Sequence, residues 1–431
     1  MRITFEKFAT IATITTITTI TTITTIARVS AAIFVAMLFV QALPVGAAIE
    51  VPGLGGILSV DGRARASYAD IDGFDESEAF TLRLRVGYMT PTVAGFSVFA
   101  ELESLLVADD DSYFDAVSAP NGESLIADPE DTDLNRLSLQ YTHAEGLLHF
   151  VGGRQRIKLD DDRFVGNVGW RQNEQTYDAA LVESSLGVDD LKLTYAYIWD
   201  VNRIFGDQGP AGTRDFDSET HLVRLGFDRF AWVKLAAFAY LMDFENSPQN
   251  SADTYGLRAV GDLEATDTLS FAYQASVAHQ VDAGDNSKDY SANYLLGDVA
   301  ARVAEIGAFG VGCEVLGSDD GEAVFVTPLA TAHKFNGFAD AFLNNGGTDG
   351  LRDFYVYIAP KLPCGLKGKV AWHSFEADHG DDALGNEYDG VISRKFGEHF
   401  NVLAKVAYYE SDGTTGPADR FRGTLDVEFG Y

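Results

Sequence analysis

The sequence predicts a transmembrane antiparallel β-barrel of about eighteen strands, an all-β fold, and three observations carry that prediction. Polar and apolar residues alternate with period two from residue 57 to the end of the chain. The alternating segments run about 9 to 12 residues, which suits a tilted strand crossing a bilayer, whereas globular strands are nearer 5 or 6. The links between segments alternate between short and long.

The alternation is plain in Leu58-Ser59-Val60-Asp61-Gly62-Arg63-Ala64-Arg65-Ala66-Ser67-Tyr68, where one face is apolar or small and the other is polar. Phe80 to Tyr88, Leu191 to Trp199, Leu269 to Val277 and Val402 to Tyr408 repeat it. Alternation alone fits any half-buried antiparallel sheet. The strands begin near residues 57, 79, 96, 134, 147, 176, 190, 219, 231, 253, 267, 290, 307, 352, 365, 386, 400 and 421. Links after even strands are short, such as Thr90 to Gly95 and Glu264 to Thr266. Links after odd strands are longer, such as Leu106 to Asp133, Arg156 to Gln175 and Gly317 to Leu351. Short periplasmic turns and long external loops are the asymmetry of membrane barrels, and an even strand count leaves both termini on one side.

Composition agrees. There are 29 Phe and 18 Tyr against 11 Pro and 4 Met. After about residue 50 no apolar run approaches the roughly 20 residues of a membrane helix, so a membrane protein of this sequence must cross with strands. Residues 1–48 read as a signal peptide with a low-complexity Ile/Thr leader. Arg28 precedes an apolar stretch from Val29 to Val45, and Gly46, Ala47 and Ala48 offer small residues for cleavage after Ala47 or Ala48. Residues 49–431 then form one barrel domain. The last strand alternates through Phe421, Leu425, Val427, Phe429 and Tyr431, an ending that suits recognition by the barrel-assembly machinery.

The net charge of −32 argues against a nucleic-acid partner. Acids concentrate in the long links: Asp109, Asp110, Asp111, Asp115, Glu123, Asp128, Glu130, Asp131 and Asp133 lie in one of them without a Lys or Arg. Two readings stand, a solvated face or divalent cations bridging to lipopolysaccharide. No metal-site motif and no resident cofactor is indicated, and no segment fits a calcium loop. Cys313 and Cys364 form no framework and their pairing stays open.

The polar face of the wall is basic in part. Arg63 and Arg65 on the first strand fall beside Arg83 and Arg85 on the second, with Glu101 and Glu103 on the third and Asp426 and Glu428 on the last. Lys192, Arg224, Arg258, Lys367, Lys369, Lys405 and Arg422 also occupy polar-face positions. Like charges side by side need partners. The rows therefore form a stiffening ladder, a charged constriction that filters solutes, or both.

Two further stretches carry a resemblance. One is Gly153-Arg154-Gln155, then Arg163-Phe164-Val165-Gly166 and Trp170-Arg171-Gln172-Asn173-Glu174-Gln175-Thr176-Tyr177-Asp178. The other runs Thr327-Pro328-Leu329-Ala330-Thr331, His333-Lys334-Phe335-Asn336-Gly337-Phe338-Ala339-Asp340, Phe342-Leu343 and Gly350-Leu351-Arg352-Asp353. Together they resemble the alginate-export family of outer-membrane channels. The resemblance implies a monomeric eighteen-stranded barrel that passes an anionic polysaccharide through an Arg- and Lys-lined pore, and it marks Arg154, Arg171 and Lys334 as pore contacts. The acidic balance of the chain departs from what a polyanion conduit would want. Phe335, Phe338 and Phe342 are spaced like one face of a short helix beside His333 and Lys334, so the link 317–351 is expected to fold inward and narrow the pore.

Enzyme chemistry finds no footing. His149, His221, His279 and His373 are scattered over distant strands without a serine partner, and no nucleophile elbow, phosphate loop or zinc spacing appears. The expected function is an outer-membrane channel for passive passage of hydrophilic solutes, with anionic saccharides as the family's substrate. The rival readings are a barrel enzyme and a structural or adhesin barrel; about eighteen strands enclose a wider interior than a plugged anchor needs.

Overall fold

The computed structural model describes residues 49–431, except 52, 109, 110, 144, 145, 207, 208, 210, 211 and 414. The signal-peptide assignment to residues 1–48 lies outside the described residues, as do Asp109 and Asp110 of the acidic segment.

Eighteen antiparallel strands close on themselves. They are β1 (Ile57–Ile71), β2 (Ser77–Met89), β3 (Phe96–Val107), β4 (Asp131–Thr142), β5 (Leu148–Gln155), β6 (Thr176–Ser184), β7 (Leu191–Asn202), β8 (Asp215–Phe230) and β9 (Val233–Met242). The second half is β10 (Ala252–Thr266), β11 (Leu269–Asp282), β12 (Ser291–Val303), β13 (Gly307–Leu316), β14 (Leu351–Pro360), β15 (Leu366–Glu376), β16 (Ala383–Phe396), β17 (Phe400–Ser411) and β18 (Arg420–Gly430). Each pairs with its sequence neighbours, and β18 returns to β1 from Asp61↔Gly430 to Ile71↔Arg420, so no strand edge is left open. A two-residue strand, Ile49–Glu50, caps the short-turn end of β1.

Side-chain alternation decides the two faces. Leu225, Leu257, Val277, Leu295, Val370 and Ile392 point outward and are exposed, a band of apolar surface that only lipid would cover. Aromatic rings flank it. Trp199, Tyr255, Tyr408 and Phe421 lie toward the long-loop end, and Phe96, Phe230, Trp232, Phe309 and Phe396 toward the short-turn end. Cys313 and Cys364 are exposed and free.

The interior is not an open tube. The long loops carry short 3-10 turns at Pro248–Asn250, Ala332–Lys334 and Gly347–Asp349. The helical face expected for Phe335, Phe338 and Phe342 is absent. Asn336, Gly337 and Asp340 adopt positive φ, which breaks any helix through this stretch and lets the three rings point to different partners.

Candidate functional site: a clamped constriction in the lumen

Two long loops, 156–175 and 317–350, fold into the barrel and meet there. Val165 and Leu329 form a parallel bridge, Gly166 N–H donates to the Leu329 carbonyl at 2.9 Å, and Thr331 N–H donates to the Asp162 carbonyl at 2.9 Å. A Cβ on Gly166 would stand 2.3 Å from Thr331 Oγ1, so only glycine permits the approach. One side of the lumen is apolar and packs the loops by burial. Phe164 sits 5.1 Å from the rings of both Phe238 and Tyr294, and Phe325 and Leu329 are fully buried in the same cluster.

The wall of β18, β1 and β2 holds the first loop with arginines. Arg63 donates to the carbonyls of Gly169 (3.1 Å), Trp170 (3.0 Å) and Arg171 (3.0 Å), and its Nε pairs with Glu428 at 2.9 Å. Arg65 donates to the Trp170 carbonyl at 2.7 Å and pairs with Asp426 at 2.6 Å. Arg63 stands opposite Arg83 in the register, and Arg83 pairs with Asp61 at 2.6 Å. Arg85 faces Asp61 and Glu103 in register, pairs with Glu103, and reaches toward Glu174 of the loop at 3.6 Å. Glu174 is buried and also binds Arg156 and Asn135. Burial pushes its carboxyl up, but Arg85 and Arg156 outweigh burial and carry it down to about 2.

The wall of β13, β14 and β16 holds the second loop with carboxylates. Glu387 of β16 accepts the Ala339 N–H at 2.7 Å, and Asp389 accepts the Phe338 N–H at 3.2 Å. Glu314 of β13 accepts Arg163 at 2.8 Å and Asn336 at 2.7 Å, and Asp353 of β14 accepts Asn336 at 3.2 Å. Gly337, at φ +83°, lies over the Glu387 carboxyl, where a Cβ would stand 2.3 Å from it. Loop amides, Arg163, Tyr294 and His373 partner Glu314, Asp353 and Asp389, whereas one Glu387 oxygen, Oε2, has no hydrogen-bond partner among the described residues.

Against β17, β18 and β1 the loops leave a small cleft of about 30 Å3, lined by Arg65, Trp170, Arg171, His333, Lys405 and Arg422 among others. His333 stacks on Trp170 with centroids 3.3 Å apart, and Phe338 flanks its other side at 5.3 Å. Burial holds the His333 imidazole neutral down to about pH 3, outweighing the attraction of Asp340. The neutral ring donates from Nδ1 to Asp340 at 2.7 Å and accepts Lys405 Nζ at Nε2 at 2.7 Å. Arg171 lies over Trp170 at 4.1 Å and pairs with Asp340 at 3.2 Å. Lys405 and Arg422 have no carboxylate within ion-pair distance among the described residues. Arg422 instead donates to the carbonyls of Ala339 (2.8 Å) and Leu125 (3.0 Å). On the long-loop side the cleft meets a cavity of about 390 Å3, which shares Trp170, Arg171 and His333 with it.

Most of the residues singled out from sequence come together around this constriction, in unequal roles. Arg63, Arg65, Arg83, Arg85, Glu101 and Glu103 are all under 10% exposed and lie beneath the first loop. They clamp and stiffen; of this row Arg65 alone lines the cleft. Glu101 pairs with Arg136 of β4 at 2.5 Å. Arg154 is off the cleft, tied to Asp178 at 2.9 Å and Asp133 at 3.1 Å. Arg171 and His333 line the cleft, and Lys334 is half exposed beside Asp162. Phe335 covers Arg163 at 4.7 Å, Phe338 faces Lys405 at 4.5 Å, and Phe342 is buried against Phe375. Sequence reading passed over Glu314, Asp353, Glu387, Asp389 and Trp170 as site residues. The four acids do occupy polar-face positions of their strands, and Trp170 lies inside one of the two motif stretches.

No family model and no curated protein matches the chain in sequence. Solved structures match it in fold. The chain is similar to OccAB3 of Acinetobacter baumannii (TM-score 0.68, 12% identity, 87% of this chain and 99% of that one). It is similar to OccAB4 of the same organism (TM-score 0.67, 13% identity, 89% and 99%). It is also similar to the Pseudomonas aeruginosa outer-membrane protein OpdK, solved with vanillate (TM-score 0.65, 13% identity, 87% and 98%). The fold is that of the outer-membrane porins, and these likenesses do not single out the alginate-export family.

Proposed function

We propose that the chain forms a passive channel of the bacterial outer membrane for small hydrophilic solutes, with a preference for anions. The observation that carries this is the charge of the cleft. The acids of the β13–β16 wall are turned onto loop amides, Arg163 and His373, whereas Lys405 and Arg422 line the cleft without a carboxylate within ion-pair distance among the described residues. A fixed positive excess at a constriction attracts and passes anions. The neighbour solved with a small aromatic carboxylate supports the same reading. The small volume of the cleft, about 30 Å3, favours small solutes over a polysaccharide chain. Both ring nitrogens of His333 are engaged, Nδ1 with Asp340 and Nε2 with Lys405, which does not favour a role for it as a catalytic base. Export by a cleaved signal peptide, assembly through the strand ending at Tyr431, and divalent cations between the acidic loops and lipopolysaccharide complete the proposal. The test is the reversal potential of the purified channel in a KCl gradient across a planar bilayer. Anion selectivity that weakens in Lys405→Gln and Arg422→Gln is expected; cation selectivity in the parent protein would refute the reading.

A further inference from the structure

The cavity on the long-loop side of the cleft differs from it in character. Ile204, Phe205, Val326, Pro328 and Leu343 give it an apolar lining, and Arg203 supplies a cation. Arg203 follows directly on β7, and its guanidinium lies 4.5 Å from the Phe216 ring centroid and 5.3 Å from that of Phe205. Its Nη1 donates to the Thr213 carbonyl at 3.2 Å. Its Nε is buried and has no hydrogen-bond partner among the described residues. No carboxylate lies within ion-pair distance of it among the described residues. Arg63, Arg65, Arg85, Arg163 and Arg171 each have one. Burial lowers the Arg203 pKa to about 10, so the group is still charged at neutral pH.

An uncompensated, partly buried charge costs folding free energy, and a ligand that brings the opposite charge recovers it. At about 390 Å3 the cavity falls in the size range of small-molecule sites, which combine apolar walls with few, well-placed polar groups. We propose that this vestibule is a capture site, separate from the cleft, for a compact amphipathic anion whose charged group pairs with Arg203 while its apolar body lies against Phe205, Pro328 and Leu343. The proposal deepens the channel reading and rests on it for its purpose. Solutes of this shape are concentrated at the mouth of the cleft before they meet Lys405 and Arg422. Fully hydrophilic anions of the same charge gain only the ion pair.

Calorimetric titration of the detergent-solubilised barrel with sodium benzoate and with sodium acetate tests the site without requiring conduction. Benzoate is expected to bind at least about tenfold more tightly than acetate, the gain coming from burial of its ring. Arg203→Gln should weaken benzoate by about tenfold or more, as loss of a partly buried ion pair does. Leu343→Asn should weaken benzoate and leave acetate unaltered. Equal affinities for the two anions, or benzoate binding indifferent to Arg203→Gln, overturn the proposal. If Arg203→Gln does not assemble, the exposed Leu343 carries the test: unaltered benzoate affinity in Leu343→Asn overturns it equally. Reversal potential is measured separately on the same protein. A cation-selective channel that binds benzoate through Arg203 keeps this site and loses the anion-channel reading, and an anion-selective channel blind to these variants does the opposite.

Discussion

On the wall of β18, β1 and β2 the side chains donate and the loop accepts. On the wall of β13, β14 and β16 the loop donates and the side chains accept. Both arrangements answer one requirement, since a loop drawn into a barrel carries backbone groups that water no longer satisfies. The chemistry of each wall suits what the loop presents there. The turn at 169–171 aims three carbonyls at the wall, and one guanidinium, a planar fork of five donors, reaches all three and keeps Nε for Glu428. The stretch 338–339 aims two amides, and two carboxylates two residues apart on β16 meet one each. The lesson concerns residual charge. The basic wall faces the loop's own acids and those of β18, but its fringe at Lys405 and Arg422 goes unpaired. The acidic wall ends with its charge turned onto the loop.

The strongest way to break this comparison is to remove the basic clamp. Arg63→Ala with Arg65→Ala deletes four bonds to the loop and strands Asp426 and Glu428. Breaking a buried ion pair costs about 3–5 kcal/mol. The expected result is a lower thermal midpoint and a single-channel conductance raised at least about twofold by release of the loop. Conductance unchanged in an assembled double variant would show that these arginines do not hold the constriction.

The acidic clamp at Glu387 and Asp389 should be weaker, because it meets two loop amides where the arginines meet three loop carbonyls and two carboxylates. Glu387→Gln with Asp389→Asn is expected to cost about 1.5–3 kcal/mol per charged hydrogen bond lost. Flickering of the single-channel current should exceed any rise in its mean. A mean increase as large as that of the arginine variant would contradict the ranking.

Phe164→Ala tests the apolar anchor that both clamps share. It should lower stability by about 3 kcal/mol, the low end for a deleted core phenylalanine, since the ring is only partly enclosed. Thermal denaturation in detergent reads this. A loss below about 1 kcal/mol would mean that the clamps alone seat the loop.

Acid gives the smallest effect and separates the walls by pH. Glu174 titrates at about 2 in the fold against an ordinary value near 4.5, so its contribution is complete above the ordinary value and is lost as pH falls toward 2. His333, held down to about 3, likewise withdraws stability as pH falls from its ordinary value near 6.5 toward 3, because the unfolded chain takes up the proton first. Melting temperature should therefore decline gradually below about pH 6 and more steeply below about pH 4.5. Glu174→Gln should flatten the steeper part, and a profile identical to the parent would remove Glu174 from the clamp.

Much of the barrel was legible in the sequence because a membrane wall imposes one rule everywhere. Every strand start read from alternation lies within four residues of the observed one, as at 79 against Ser77, 134 against Asp131 and 219 against Asp215. The deviations fall where polar residues of the long loops extend the pairing beyond the apolar band. The Arg and Glu rows were legible for the same reason, since period two places them on the inner face. What fills the inner face was not. Period two says that Arg63 points inward but not whether it meets water or the Trp170 carbonyl. That depends on loops whose path is set by contacts such as Val165 with Leu329, 164 residues away in sequence. The helix expected from Phe335, Phe338 and Phe342 failed on backbone conformation: positive φ at Asn336, Gly337 and Asp340 overrides a spacing of three and four.

Arg63 and Arg65 belong to the first strand of the barrel, while Glu428 and Asp426, which orient them, belong to the last. Those pairs exist only once the two ends of the sheet have found each other. Until then the guanidiniums lack the carboxylates that hold their Nε groups, and the turn at 169–171 has no fixed donor array to dock on. Closing the cylinder and narrowing its bore are therefore a single late event in biogenesis. A chain stalled before its seam is sealed would be a wide, leaky intermediate, and the same two ion pairs that finish the wall would end the leak.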